Sequence, residues 1–242
     1  MKRRISAALL TLCMLMSLIP SVAFAAPNGT FDDVNDHWGK GAIERWASYG
    51  VVNGDGTGNF APDKQMTRAE FATMLANMLG YKTKAANTFS DVNDSDWFAD
   101  AILKLAAAGV LQGSNGMANP NAPISRQEAA VMMCRAFNIP TIGGSLNFAD
   151  SADVADWAKG AVAALAQRGM LNGVGGNNVA PLANINRASV ATLLDNMITE
   201  YVTEDKTISG TVDGIVLVAA DANVTVQDAT LSENLIVAPK AD

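Results

Sequence analysis

The chain has 242 residues, nearly half of them apolar, and a formal net charge of −7. An acidic chain lacks the basic face that nucleic acid demands, and it must take any anionic ligand through local cationic clusters, against its own mean field. With two cysteines, Cys13 and Cys134, and one histidine, His37, zinc lacks its usual ligand set and a serine triad its usual base.

Residues 1–25 read as a signal peptide. Lys2, Arg3 and Arg4 form a basic start, Ile5 to Ile19 an apolar core, and Ala23-Phe24-Ala25 a cleavage site. The core is too short and wrongly flanked to span a membrane. No lipoprotein-like run of small residues precedes Cys13, so cleavage after Ala25 is expected, giving an exported chain with no membrane contact. Cleavage makes the chain more acidic and leaves Cys134 alone, in an apolar helical run that predicts a buried, inert thiol. The fold must then be held by packing.

Three repeats follow. Phe31-Asp32-Asp33-Val34, Phe89-Ser90-Asp91-Val92 and Phe148-Ala149-Asp150-Ser151 open them, 58 and 59 residues apart. Trp38, Trp97 and Trp157 come next, and each starts an apolar pattern of helical period (Ile43 and Trp46, Ile102 and Leu105, Val162 and Leu165). Gly50, Gly109 and Gly169 then stand where a left-handed residue ends a helix. A short apolar step leads to a second glycine at 54, 113 and 173, then a Gly/Asn/Pro-rich loop. Each unit closes on a longer helix, opened by Thr67-Arg68-Ala69-Glu70, Ser125-Arg126-Gln127-Glu128 or Asn186-Arg187-Ala188-Ser189. The first two are capping boxes; the third lacks the glutamate. The expected divisions are 26–86, 87–145 and 146–201, with too few apolar residues per unit for a core of its own.

The arginine of each copy is not explained by helix capping, because the first turn disfavours a cation. Arg68, Arg126 and Arg187 fit two readings. Each is a receptor for a carboxylate or phosphate beside free backbone N–H groups, or each pairs with a nearby aspartate and braces the fold.

Taken together, the F-x-D-V start, the tryptophan helix, Gly50-Val51-Val52-Asn53-Gly54, the Asp55-to-Pro62 loop and Thr67-Arg68-Ala69-Glu70 resemble the S-layer homology domain, in three copies over about 170 residues. The third copy departs most, with Ser189 in place of glutamate and Ser151 in place of valine. The resemblance implies a mainly α fold: a pseudo-threefold bundle of loop-helix-loop-helix repeats whose grooves bind secondary cell-wall polysaccharide of Gram-positive envelopes. The implied ligand is a ketal-pyruvylated amino sugar. By resemblance, Arg68, Arg126 and Arg187 hold its carboxylate. Asp33, Asp91 and Asp150 accept sugar protons or orient the arginines, Trp38, Trp97 and Trp157 line the grooves, and Gly50, Gly109 and Gly169 let the backbone approach the sugar. From the residues alone, the tryptophans also fit a core, the aspartates caps or turns, and the glycines helix ends. Arg187, without its glutamate, is expected to be the least well fixed of the three arginines.

Residues 202–242 change character. Short runs at 207–212, 214–218, 224–226 and 234–237 read as strands, spaced like coils of a parallel β-helix. So few strands cannot bury a core unaided. No enzymatic constellation, cofactor or metal site is expected. His37 reads as a helix-start polar residue, and Asp55-Gly56-Thr57-Gly58-Asn59 lacks the acidic spacing of a calcium loop. The expected role is anchoring an exported protein at the cell wall. The alternative is a structural S-layer subunit that self-associates through its β region.

Overall fold

A computed structural model describes residues 30–141 and 143–241; the expected signal peptide, 1–25, lies outside them. Helices α1 (Lys40–Ser48), α2 (Arg68–Leu79), α3 (Ala99–Ala107), α4 (Arg126–Ala136), α5 (Asp156–Gln167) and α6 (Arg187–Met197) give two per repeat. Helix outweighs strand among the described residues. In the first two repeats the second helix is the longer one. In the third the order reverses, with 12 residues in α5 and 11 in α6. There Asp156 starts the helix one turn earlier and takes Trp157 into it, whereas Trp38 and Trp97 precede α1 and α3.

Local chemistry sets the helix ends. The Thr67 and Ser125 hydroxyls accept the amides of Glu70 and Glu128, whose carboxylates reach back to the cap amides, completing both boxes. Asn186 caps α6 on one side only, accepting from Ser189. At the other end of α1, α3 and α5, Gly50, Gly109 and Gly169 are left-handed. The Gly50 amide reaches Ala47, and Val51 reaches Trp46, and the same pair recurs at Gly109 and Gly169. That is the Schellman closure of a helix.

The repeats bond to one another in a cycle. Met66 donates to Ile185, Ile185 to Ile124, and Ile124 to Met66, each at 3.0 Å. All three side chains are buried. The helices follow the same order, with α1 packed on α6, α3 on α2 and α5 on α4, always across a repeat boundary. One continuous core results, running through Trp46, Phe71, Ile102, Met133, Val162 and Leu194. The apolar face of each helix is thus covered by another repeat.

The chain turns into strand directly after α6. Strand β1 (Ile198–Val202) pairs in parallel with β3 (Ile215–Val218), which pairs with β5 (Leu235–Val237). Strands β2 (Lys206–Val212) and β4 (Val224–Leu231) form a second parallel pair. The first strand went unread in the sequence because its β-branched and aromatic residues follow a helix without a break. Ile198, Tyr201, Ile215 and Leu217 belong to the helical core, so the strands borrow the bundle's interior. Side chains fasten the rest. Asn234 Nδ2 donates to the Phe137 and Asn138 carbonyls at the end of α4, and Arg45 donates to the Ile198 and Thr199 carbonyls. Lys240 lies against Gly80, just past α2.

Candidate ligand-binding grooves

Each arginine at a helix start points into the next repeat. Arg68 Nε donates to the Ala118 carbonyl at 2.9 Å. Arg126 donates to the Val179 and Asn172 carbonyls, both at 2.8 Å. Arg187 donates to the Phe60 and Asn53 carbonyls, returning from the third repeat to the first. The backbone follows the same path, because the amides of Arg68, Arg126 and Arg187 donate to Ala122, Ala183 and Lys64. These arginines therefore brace the repeats through carbonyls. Burial lowers the pKa of Arg126 and Arg187, with nearby acids opposing the shift.

The aspartates hold the loops that receive those arginines. Asp33 accepts the amides of Phe60 and Ala61, Asp91 those of Ala118 and Asn119, and Asp150 those of Val179 and Ala180, at 2.7–2.8 Å. Ala61, Asn119 and Ala180 are left-handed (φ 57°, 52° and 48°), and each precedes a proline, where helical conformations are disfavoured. The carboxylate pins a strained corner. The residue whose amide it takes, Phe60, Ala118 or Val179, offers its carbonyl to the incoming arginine.

The tryptophans are not core residues. Trp38 and Trp97 are 64% exposed and Trp157 59%, while Trp46 is fully buried. A groove of about 460 Å³ is lined by Arg68 of the first repeat, Gln112, Glu128, Met132 and Arg135 of the second, and Trp157 of the third. Another of about 360 Å³ is lined by Arg126 of the second repeat, Asn172, Ser189, Thr192 and Asn196 of the third, and Trp38 of the first. All three repeats contribute to either groove. Each thus combines a tryptophan, a guanidinium and amide side chains in its lining.

The glycines divide by role. A Cβ on Gly50, Gly109 or Gly169 would meet nothing within 4 Å, so their left-handed conformation alone requires glycine. Gly113 and Gly173 are the glycines that line the grooves. A Cβ on Gly113 would fall 2.4 Å from the Met117 carbonyl oxygen and 2.6 Å from the Phe89 ring. The phenylalanine opening the repeat thus lies beneath the second glycine, a link visible in sequence only as two residues that always recur together.

The cap glutamate of the second repeat has a further partner. Arg68 Nη1 bonds Glu128 of the next repeat at 2.9 Å. Ser189 holds the equivalent position in the third repeat and lines a groove together with Arg126, while Glu70 pairs with Lys64 at 3.3 Å. His37 accepts the Gly39 amide on Nδ1, and Asp55 closes a turn on Thr57. The Cys134 thiol is buried, its pKa pushed up to about 12 by desolvation.

A sequence model of the S-layer homology domain matches residues 30–72, 88–130 and 147–191, just over half of the chain. The chain belongs to the S-layer homology domain family. It is 36% identical over 171 residues to an amylopullulanase of Thermoanaerobacterium thermosulfurigenes, covering 68% of this chain and 9% of that protein. It is 37% identical over 171 residues to the exoglucanase XynX of Acetivibrio thermocellus, covering 68% of this chain and 16% of that one. A surface-layer 125 kDa protein of Lysinibacillus sphaericus is 32% identical over 233 residues, or 94% of this chain and 19% of that protein. The chain thus spans less than a fifth of the length of these relatives. The two enzymes match it only through the S-layer homology region.

Proposed function

We propose that this S-layer homology protein is secreted and acts at the cell wall, anchoring noncovalently whatever it is joined to. Its ligand is an acidic cell-wall polysaccharide, of which a ketal-pyruvylated amino sugar is the expected unit. The carrying observation is the composition of the grooves, with an exposed tryptophan, a braced arginine and neutral amides contributed by three repeats. The cyclic hydrogen bonds support reading the bundle as pseudo-threefold, and by that symmetry we read Trp97 and Arg187 as parts of a third groove. Nε and one terminal nitrogen of each arginine have partners. The remaining terminal nitrogen, Nη2 of Arg68 and Nη1 of Arg126 and Arg187, has none among the described residues and is the group offered to the carboxylate. Asp33, Asp91 and Asp150 act by positioning the loops, and Gly50, Gly109 and Gly169 by ending the helices before the grooves. Neither role is catalytic, and the chain works as a binding module. The test is binding to purified cell-wall glycan before and after removal of its pyruvyl groups; equal affinity sinks the mechanism.

A second reading, a self-associating surface-layer subunit, is favoured by one observation. Val226, Leu235 and Val237 are exposed around a cavity of about 540 Å³ lined from β3, β4 and β5. Light scattering of the purified chain tests it, since a lattice former assembles beyond the monomer.

A further inference from the structure

We propose that the residue at position 189 makes the Arg126 groove the principal site for the acidic substituent, so that the grooves of this protein are unequal. This inference rests on the carboxylate-binding function above. In the Arg68 groove the cation is already met by Glu128 at 2.9 Å, and that carboxylate lines the same groove. An incoming anion must displace Glu128 or lie beside it, and like charges at such range repel. At Arg187 three acids, Glu70, Asp55 and Asp33, act electrostatically without bonding to it, and Glu70 pairs with Lys64 at 3.3 Å.

No carboxylate is among the described residues that line the Arg126 groove. Ser189 stands where the glutamate would, and Asn172 and Asn196 add neutral polar groups. Arg126 is 8% exposed and bonds only to carbonyls. The acid that acts on it is Asp150, whose two oxygens already hold the amides of Val179 and Ala180. A buried guanidinium held by dipoles alone gains most from an anion. Thr192, three residues beyond Ser189 on the same wall, has a hydroxyl with no hydrogen-bond partner among the described residues. Trp38 closes the site with an open aromatic face.

The Arg68 groove carries one further cation, Arg135, bonded to Gln112 at 3.0 Å. It lies nine residues along α4 from Arg126 and seven from Glu128, roughly 10 Å from the latter at 1.5 Å per residue. It does not restore a free cation at the helix start.

The experiment titrates the exported chain calorimetrically with a ketal-pyruvylated N-acetylhexosamine and with the same sugar lacking the ketal. Ser189→Glu should weaken the main site about tenfold, the equivalent of about 1.4 kcal/mol. Ser189→Gln, similar in bulk but neutral, should change it less than about threefold. Glu128→Gln keeps the cap acceptor and should add a second site of similar affinity. Thermal melts establish that each variant is folded. Unchanged binding by Ser189→Glu, or an equal loss in Ser189→Gln, overturns the inference while leaving the function intact. If neither the exported chain nor Glu128→Gln distinguishes the pyruvylated sugar from its counterpart, the proposed function fails and takes this inference with it.

Discussion

Arg187 donates to the carbonyl of Phe60 across 127 residues of sequence, and its guanidinium carbon lies 4.4 Å over the centre of the Phe60 ring. This contact joins the last repeat to the first and closes the cycle. Its removal leaves the Phe60 and Asn53 carbonyls short of a charged donor, a loss of about 1.5–3 kcal/mol per bond. Arg187→Ala should therefore lower the melting temperature of the whole helical region by about 5 °C or more in a single transition. Differential scanning calorimetry decides it. A separate early transition confined to the third repeat would contradict the shared core.

Asp33 and Arg187 act on the same residue from opposite sides, one through the Phe60 amide and one through its carbonyl. Groups sharing a partner do not lose stability independently. In a double-mutant cycle, Asp33→Ala and Arg187→Ala should together cost less than the sum of the two by at least about 0.5 kcal/mol. Additivity in urea melts would show that the loop corner is held by something else.

Two glycines four residues apart should respond differently to alanine. At Gly109 the added methyl meets open space and only the left-handed backbone resists, at about 1 kcal/mol. At Gly113 the methyl strikes the Met117 carbonyl and the Phe89 ring, an overpacking cost of about 3 kcal/mol. Gly113→Ala should also weaken sugar binding, because Gly113 lines a groove. The paired melting and binding curves test both halves.

Glu70 ties its carboxylate to the cap of α2. Burial opposes its ionisation, but the Thr67 amide and Lys64 outweigh that, and its pKa lies below the ordinary glutamate range. A depressed folded-state pKa gives stability that is present above the unfolded value and lost as pH falls through the folded one. The melting temperature should thus decline on acidification through about pH 5 to 3. Glu70→Gln should flatten part of that decline. An identical pH profile in the variant would remove Glu70 from the account.

What could be read from the sequence was local. The three repeats, the capping boxes at Thr67 and Ser125 and the left-handed Gly50, Gly109 and Gly169 each depend on residues a few positions apart, and all appear as expected. The partners of the arginines could not be read, because each lies in a different repeat and is set by cyclic packing. For that reason the second partner of Glu128, Arg68 of the preceding repeat, could not be read either. Local sequence also left the setting of the tryptophans open. They stand before or at the start of a helix, exposed at the mouths of grooves that other repeats help to line.

The β strands give the chain a mechanical property. The strand layer leaves α6 through Ile198, bonds the end of α4 through Asn234 and rests against the end of α2 through Lys240 and Gly80. A pull applied to the strands enters this layer first and reaches the second helix of every repeat, α2, α4 and α6. Tension is shared across the bundle instead of unzipping one helix at a time, and the grooves, built from all three repeats, keep their shape under load.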